Sequence, residues 1–231
     1  MHKITELYHR SPKPIKVIQF GEGNFLRGFV DYMIDIANET GDFQGDVAVV
    51  KPTNRGNLEL FHKQDNLYTV SLRGKLDGRP YIENRVITCL QKAVNPYTEY
   101  GEFQKLARLD SVEFIISNTT EAGIVFDPSD KLDSTPAASF PGKLTQFLYE
   151  RFQAFSGDAE KGVIILPTEL LEENGTQLKE CILKLIALWG LSDDFKKWVC
   201  ESCVFCNTLV DRIISGRPKT NLEKAYEELG Y

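Results

Sequence analysis

The 231-residue sequence lacks several features that mark broad functional classes. It has no uninterrupted apolar run near the roughly 18 residues that a transmembrane helix needs, and no apolar stretch of a secretory signal near residue 1. It also lacks an excess of positive charge, since 27 Lys and Arg residues face 33 Asp and Glu residues, for a formal net charge of -6. We therefore expect a cytoplasmic protein with no membrane span and no nucleic-acid surface.

Histidine is scarce as well. His2 and His9 lie in the N-terminal arm, and His62 lies in a polar stretch with helical spacing. None follows a predicted strand directly, which is where binding and catalytic groups gather in parallel sheets. The sequence therefore offers few candidates for general acid–base catalysis.

Cysteine is present five times, and three of the residues form a C-x-x-C-x-x-C array at Cys200, Cys203 and Cys206. This array is similar to part of an iron–sulfur binding run, but the fourth cysteine with its following proline is missing. The other two, Cys89 and Cys181, are distant in sequence. We expect reduced thiols along one side of a helix end and no metal, with a cluster or zinc site as the alternative.

The most informative pattern is an apolar run that stops at two glycines and resumes with helical spacing, between Ile15 and Gly28. It predicts a strand, a phosphate-binding turn and a helix. Gly21 permits a tight reversal, and Gly23 lets the backbone approach a diphosphate without an intervening Cβ. The usual third glycine is replaced by Leu26, so an ordinary strand-to-helix turn stays an alternative.

The helix after this turn is predicted to bury one face in the core, formed by Phe25, Phe29, Met33 and Ile36. A second strand at residues 46–50 follows, and an acidic residue after such a strand usually holds the adenosine ribose. Lys51 and Arg55 stand there instead. On charge alone this pair favours a 2′-phosphate, and a solvated loop is an equal alternative.

Strand and helix patterns alternate along the rest of the chain. Residues 67–72 and 81–87 flank Asp77-Gly78 as a β-hairpin would. Further strands are predicted at 113–118 and 162–167, with helices at 97–109, 144–152, 178–189 and from Ser192 through the cysteine array, before an apolar strand-like segment. The alternation predicts an α/β fold, a Rossmann-like doubly wound and mostly parallel sheet with an inserted β-hairpin.

Three segments together, residues 19–27, 117–124 and 208–213, resemble the long-chain polyol dehydrogenases of the mannitol dehydrogenase family, and most closely its tagaturonate reductase branch. Residues 64–69 and 222–231 also fit this resemblance. It implies that residues 1–231 form a dinucleotide-binding domain for NAD.

The resemblance also implies roles for individual residues. The diphosphate turn is formed by Gly21, Gly23, Asn24, Phe25 and Arg27, and the ribose and nicotinamide lie beside Asn118, Thr119 and Glu121. Asp211, in a Val-Asp-Arg signature with Arg212, lies at the active site. Structural alternatives remain: Arg27 pairs with a surface acid, Glu121 caps a turn, and Asp211 and Arg212 form an ion pair.

By resemblance, the complete enzyme reduces D-tagaturonate to D-altronate with NADH, which outweighs the charge argument for a 2′-phosphate. Glu169-Leu170 ahead of Asn174-Gly175 fits the tagaturonate reductase branch, whereas mannitol-type members carry Asp-Asn there. The family's catalytic Lys, Asn and His belong to a helical C-terminal domain that we expect beyond Tyr231, together with the last strand of the sheet. We therefore expect an NAD-binding half that is inactive alone; a fructuronate- or mannitol-type half and a stand-alone nucleotide-binding module are the alternatives.

Overall fold

The computed structural model describes residues 2–120, 122–217 and 222–231. Its strands are β1 (Ile15–Phe20), β2 (Asp46–Val50), β3 (Tyr68–Leu76), β4 (Arg79–Ile87), β5 (Leu90–Val94), β6 (Phe114–Ser117), β7 (Ile164–Pro167) and β8 (Val204–Phe205). Six of them form a parallel sheet in the order β5-β2-β1-β6-β7-β8. This is the strand order of a doubly wound nucleotide-binding sheet, so the predicted fold class is confirmed.

The helices are α1 (Ile4–Leu7), α2 (Asn24–Gly28), α3 (Val30–Thr40), α4 (Glu59–Lys63), α5 (Tyr100–Ala107), α6 (Phe140–Ala154), α7 (Asn174–Leu188), α8 (Asp193–Glu201) and α9 (Leu222–Leu229), with a 3-10 turn at Ala159–Lys161. Within the described ranges, no helix is both long enough and apolar enough to span a bilayer.

Side chains alternate across the sheet and divide the core between its two faces. On β1, Ile18 and Phe20 join a cluster with residues of α5 to α8, whereas Val17 joins a second cluster with Leu26 of α2. Phe20 is fully buried, and its ring lies 5.2 Å from that of Phe140 between centroids. Burying one such side chain contributes about 1.5–3 kcal/mol, so β1 anchors the sheet below the glycine turn.

The strands β3 and β4 form a separate two-stranded antiparallel sheet, which confirms the inserted hairpin. Asp77 and Gly78 connect them with φ of 50° and 75°. Positive φ at both central residues is the two-residue turn whose twist matches a hairpin. The hairpin packs beside α3 through Arg85, whose Nε donates to Asp35 at 2.7 Å.

The helix predicted after the glycine turn is interrupted between α2 and α3, at Phe29 with φ of -120° and ψ of -74°. The prediction that Phe25, Phe29, Met33 and Ile36 face the core is wrong for Met33, which is 51% exposed; the other three are partly buried, and Phe25 packs against the second cluster. The buried residues of α3 are Asp31 and Asp35. Tyr68 and Arg85 of the hairpin make that burial possible, because they bond Asp31 and Asp35 respectively.

The cysteine array also differs from the prediction. Helix α8 ends at Glu201, and Cys203 and Cys206 lie immediately before and after β8. The N–H groups of Val204 and Cys206 donate hydrogen bonds to the carbonyls of Val163 and Ile165. Pairing with the open edge of β7 overrides the local helical spacing. Strand β8 is also the sixth strand of the parallel sheet, which the sequence analysis expected beyond Tyr231.

Candidate functional site

The glycine turn lies at the carboxyl end of β1, between the ends of β2 and β6. The Gly21 N–H donates to the carbonyl of Val50 at 3.1 Å, and the Asn118 N–H donates to that of Phe20 at 3.0 Å. Gly21 has φ of +134°, and a Cβ there would lie 2.9 Å from the Asn118 carbonyl oxygen. Glycine is therefore required at position 21 by the fold itself.

Gly23 differs from Gly21 both in its backbone angles and in the space around it. Its φ of -67° and ψ of 164° suit any residue, and a Cβ there would meet no atom within 4 Å. Helix α2 begins at the next residue, Asn24. The first N–H groups of a helix have no partner inside it and favour a bound anion. The open space at Gly23 thus fits a diphosphate drawn close to the backbone.

Arg27 is positioned by two aromatic rings. Its guanidinium lies 5.3 Å from the ring centre of Phe61 and 5.4 Å from that of Tyr68, and it donates to the side-chain oxygen of Asn24. Phe25 packs on Phe29, with ring centroids 5.5 Å apart. The guanidinium therefore lies beside the first residue of α2, where positive charge complements a diphosphate. Its role as a clamp stays a prediction.

A buried carboxylate joins the loops that follow β6 and β7. Oε1 of Glu169 accepts from the N–H and the hydroxyl of Thr119, both at 2.9 Å, and Oε2 accepts from Ser117 Oγ at 3.0 Å. Asn118 Nδ2 donates to Thr168 Oγ1 at 3.1 Å. Glu169 therefore fixes Thr119 directly, and Thr168, the residue before Glu169, fixes the side chain of Asn118. Glu121, the third predicted residue of this loop, lies outside the described residues.

Asn174 brings the third sequence motif to the same place. The nitrogen of its fully buried amide lies 3.0–3.2 Å from the carbonyl oxygens of Pro167, Glu169 and Thr208, which share its two hydrogens, and its oxygen accepts from the Thr208 N–H at 3.0 Å. One side chain thus ties the end of β7 to the start of residues 208–217.

Residues 208–217 form an extended segment that alternates between half-buried and exposed side chains. On the inner side, the Arg212 guanidinium lies 5.7 Å from the Phe29 ring centre and 5.6 Å from that of Tyr32. Ile214 packs so closely on Gly28 that a Cβ there would lie 2.9 Å from Ile214 Cδ1. Asp211 is exposed on the outer side, and within the described part of the chain it forms no ion pair with Arg212.

Lys51 is not available to a ligand, contrary to the charge argument from sequence. The side chain is fully buried, and Nζ donates to the carbonyls of Thr53 and Arg55, with Glu22 of the glycine turn at 3.8 Å. The lysine therefore shapes the loop after β2 instead of facing a 2′-phosphate.

Across residues 2–120, 122–217 and 222–231, no group of three or more His, Cys, Asp and Glu side chains could hold a metal ion. Cys200 is exposed on α8, whereas Cys203 is buried.

The sequence profile of the mannitol dehydrogenase Rossmann domain matches residues 15–228. The chain belongs to this family. The match includes the glycine turn, the Glu169 loop and the extended segment, and it confirms the resemblance drawn from the three motifs.

Curated relatives of the family are named altronate oxidoreductases. The chain is 45% identical over 223 residues to that of Bacillus subtilis and 48% identical over 222 residues to that of Phocaeicola vulgatus. Each alignment covers 96% of this chain and 46% of the relative, so the chain spans about half the length of the curated relatives it matches.

Solved structures show the same fold at lower identity. Mannitol 2-dehydrogenase of Pseudomonas fluorescens, solved with NAD and D-mannitol, matches with a TM-score of 0.79 and 19% identity, over 96% of this chain and 46% of that one. D-Sorbitol dehydrogenase matches with a TM-score of 0.73 and 21% identity, over 94% of this chain and 46% of that one.

The residues that support the glycine turn from below were not predicted from the sequence. Glu169 was noted only for its difference from mannitol-type members. Gln19, Asp31 and Tyr68 were not singled out for any role, although an Asp on the buried face of a helix needs a partner. Asp31 could be recognised as such a residue only once the buried face of α3 was known.

Proposed function

We propose that this chain is the NAD-binding domain of an altronate oxidoreductase, the enzyme that interconverts D-tagaturonate and D-altronate with NADH. The observation that carries the cofactor proposal is the open space at Gly23, between the fixed turn at Gly21 and the start of α2. The names of the relatives at 45–48% identity support the substrate.

In this proposal the diphosphate lies against residues 21–27, and Asn118 and Thr119 lie beside the nicotinamide ribose. Bound NADH supplies the hydride, and the reaction also needs a group that gives a proton to the substrate oxygen. The sheet order supports this placement, because β1 and β6 are neighbours that flank the point where strand order reverses.

We propose that the proton donor belongs to the half of the relatives that this chain does not match. Two lysines that follow β2 and β6 support this, because their ammonium groups are enclosed. Lys51 is bound to two carbonyls, and Lys143 Nζ donates to the carbonyls of Ala138 and Ser139 at 2.7 and 3.3 Å. Burial lowers the pKa of Lys143 to about 8, and no part of its side chain reaches solvent.

The outer side of residues 208–217 is where we propose that this other half packs. Leu209 and Ile213 are 95% and 93% exposed, and Asp211 lies between them on the same side. An apolar groove of about 310 Å³ opens beside the segment, lined among others by Met33, Phe114, Leu166 and Val210. Exposed apolar side chains around one carboxylate are typical of a surface that is covered in the complete protein.

The proposal is tested by titrating the 231-residue chain with NADH and following nicotinamide fluorescence. We expect saturable binding and no oxidation of NADH when D-tagaturonate, D-fructuronate or D-fructose is added. A full-length homologue assayed on the same three substrates serves as the positive control and assigns the substrate. Turnover by the chain alone would contradict the placement of the proton donor, and failure to bind NADH would contradict the cofactor site.

Substitution of Glu169 tests whether its geometry or its charge supports the nicotinamide loop. We expect Glu169→Ala to weaken NADH binding about tenfold, because the partly buried Thr119 N–H and hydroxyl lose their acceptor and the loop after β6 loosens. Glu169→Gln keeps an oxygen for Thr119 and places an NH2 group on Ser117, whose hydroxyl can turn to accept. Its dissociation constant should stay within about threefold of the wild-type value. Equal losses in both variants would mean that the negative charge itself is required.

A further inference from the structure

A buried polar cluster lies directly beneath the glycine turn, on the face of β1 that packs against α3. Asp31 of α3 and Gln19 of β1 both have no exposed surface, and their side chains are in contact. Gln19 Nε2 donates to the carbonyl of Gly21 at 3.0 Å. The cluster is therefore linked to the backbone of the turn, and none of its side chains is assigned a role by the proposed function.

The hydroxyl of Tyr68 lies close to two acceptors in this cluster. Its oxygen is 2.8 Å from Asp31 Oδ2 and 3.1 Å from the carbonyl oxygen of Arg27. A phenol has one hydrogen, and an ionised carboxylate has none. Without sharing one hydrogen between two acceptors, both contacts can be full hydrogen bonds only if Asp31 carries a hydrogen and donates it to Tyr68, which then donates to Arg27.

The remaining oxygens of the cluster lead to the same assignment. Asp31 Oδ1 and Gln19 Oε1 are enclosed and have no donor among the described residues. An enclosed carboxylate oxygen without a donor is far more costly than a neutral carbonyl oxygen in the same place. If Asp31 is neutral, the larger free-energy cost, that of an enclosed carboxylate oxygen without a donor, is removed.

We propose that Asp31 is a protonated carboxylic acid that positions the glycine turn, by donating to Tyr68 so that the Tyr68 hydroxyl holds the carbonyl of Arg27 in α2. The inference rests on the proposed function only in taking this turn as the cofactor site. Asp31 is thus a positioning residue that acts through Tyr68 and α2, without touching the cofactor.

The groups around Asp31 determine how the proton is held. Burial raises the pKa of Asp31 to about 7, while its neighbours Tyr68, Gln19 and Arg27 lower it by less. Asp35, one turn along α3, raises it slightly. The Cys89 thiol, which precedes β5, donates to the Asp31 carbonyl at 3.3 Å, and burial raises the pKa of that thiol well above its ordinary value.

Loss of the proton should release α2 in two ways. The ionised carboxylate takes the Tyr68 hydrogen, which frees the Arg27 carbonyl. It also attracts the Arg27 guanidinium, which otherwise donates to Asn24 at the start of α2. NADH affinity is therefore expected to fall as the pH rises through about 7.

The test compares the wild-type chain with Asp31→Asn, whose amide can donate to Tyr68 at every pH. Asp133→Asn, at an exposed position, is the matched control. NADH affinity and the urea midpoint are measured between about pH 6 and about pH 8.5. The wild type and the control should lose about tenfold in affinity and show a falling midpoint, because the native state binds more protons than the unfolded chain until the pH passes the native pKa. In Asp31→Asn the affinity should be nearly constant and the fall in the midpoint between about pH 6 and about pH 7 should be absent, while Lys143, with its pKa of about 8, still raises the midpoint near the upper end in every variant.

A wild-type urea profile that Asp31→Asn reproduces would overturn the inference. If no variant binds NADH but the fall in the midpoint between about pH 6 and about pH 7 is absent in Asp31→Asn, the proposed function fails and the protonated acid stands. If Asp31→Asn does not fold, the infrared carbonyl band of the wild type at about pH 6 decides. A carboxylic acid band that shifts in Tyr68→Phe supports the inference, and a spectrum without such a band overturns it.

Discussion

Gly23→Val is expected to lower NADH affinity at least 100-fold, a loss of about 2.7 kcal/mol or more, while leaving the fold intact. A Cβ at this position meets no protein atom within 4 Å, so the branched side chain fills only the space in which we place the diphosphate. The backbone angles of Gly23 suit valine, and its glycine makes no side-chain cap to α2. The free energy of unfolding should therefore change by less than about 1 kcal/mol.

Gly74→Val is the matched control for this experiment. Gly74 lies in β3, far along the chain from the turn, and a Cβ there also meets no atom within 4 Å. It should leave both NADH affinity and stability near the wild-type values. The measurement is a fluorescence titration with NADH beside urea unfolding of each variant. Tight NADH binding by Gly23→Val would remove the diphosphate from residues 21–27.

The glycine turn and most strands could be predicted from sequence because their signals are local. Two spaced glycines after an apolar run define the turn, and the second strand was placed at residues 46–50, where β2 lies. Asp77-Gly78 between two apolar segments likewise defined the hairpin. In each case the residues whose pattern predicts the turn or strand are the same residues that form it.

The support beneath the site could not be predicted, because its partners are distant in sequence. Asp31 meets Tyr68 from 37 residues away, and Asp35 meets Arg85 from 50 residues away. Apolar spacing alone therefore assigned the wrong face of α3 to the core. Only tertiary contacts with the hairpin make two buried aspartates acceptable there.

Strand β8 illustrates the same limit at the other end of the chain. Its two residues, Val204 and Phe205, follow a helix whose spacing continues into them, and the decisive partner is the edge of β7. The Rossmann strand order requires a sixth strand at the edge of β7. The expected topology could therefore have located β8, whereas the local sequence pattern did not.

The first glycine of the turn should behave in the opposite way to the second, since Gly21→Ala is expected to damage the fold. Alanine at φ of +134° is strained by about 1–3 kcal/mol, and its Cβ would approach the Asn118 carbonyl oxygen to 2.9 Å. That oxygen belongs to backbone fixed between β1 and β6, so it cannot move aside cheaply. We expect a total loss of about 3 kcal/mol and a fall in Tm of about 6–12 °C.

Gly56→Ala separates the two causes of this loss. Gly56 also has a positive φ, of +74°, but a Cβ there meets no atom within 4 Å, so only the backbone strain of about 1 kcal/mol applies. Thermal unfolding followed by circular dichroism should rank the wild type above Gly56→Ala and Gly56→Ala well above Gly21→Ala. Equal melting temperatures for the two variants would mean that β1 and β6 do not close on Gly21 as described. Together with Gly23→Val, these variants test whether Gly21 is needed for the stability of the fold and Gly23 for binding of NADH.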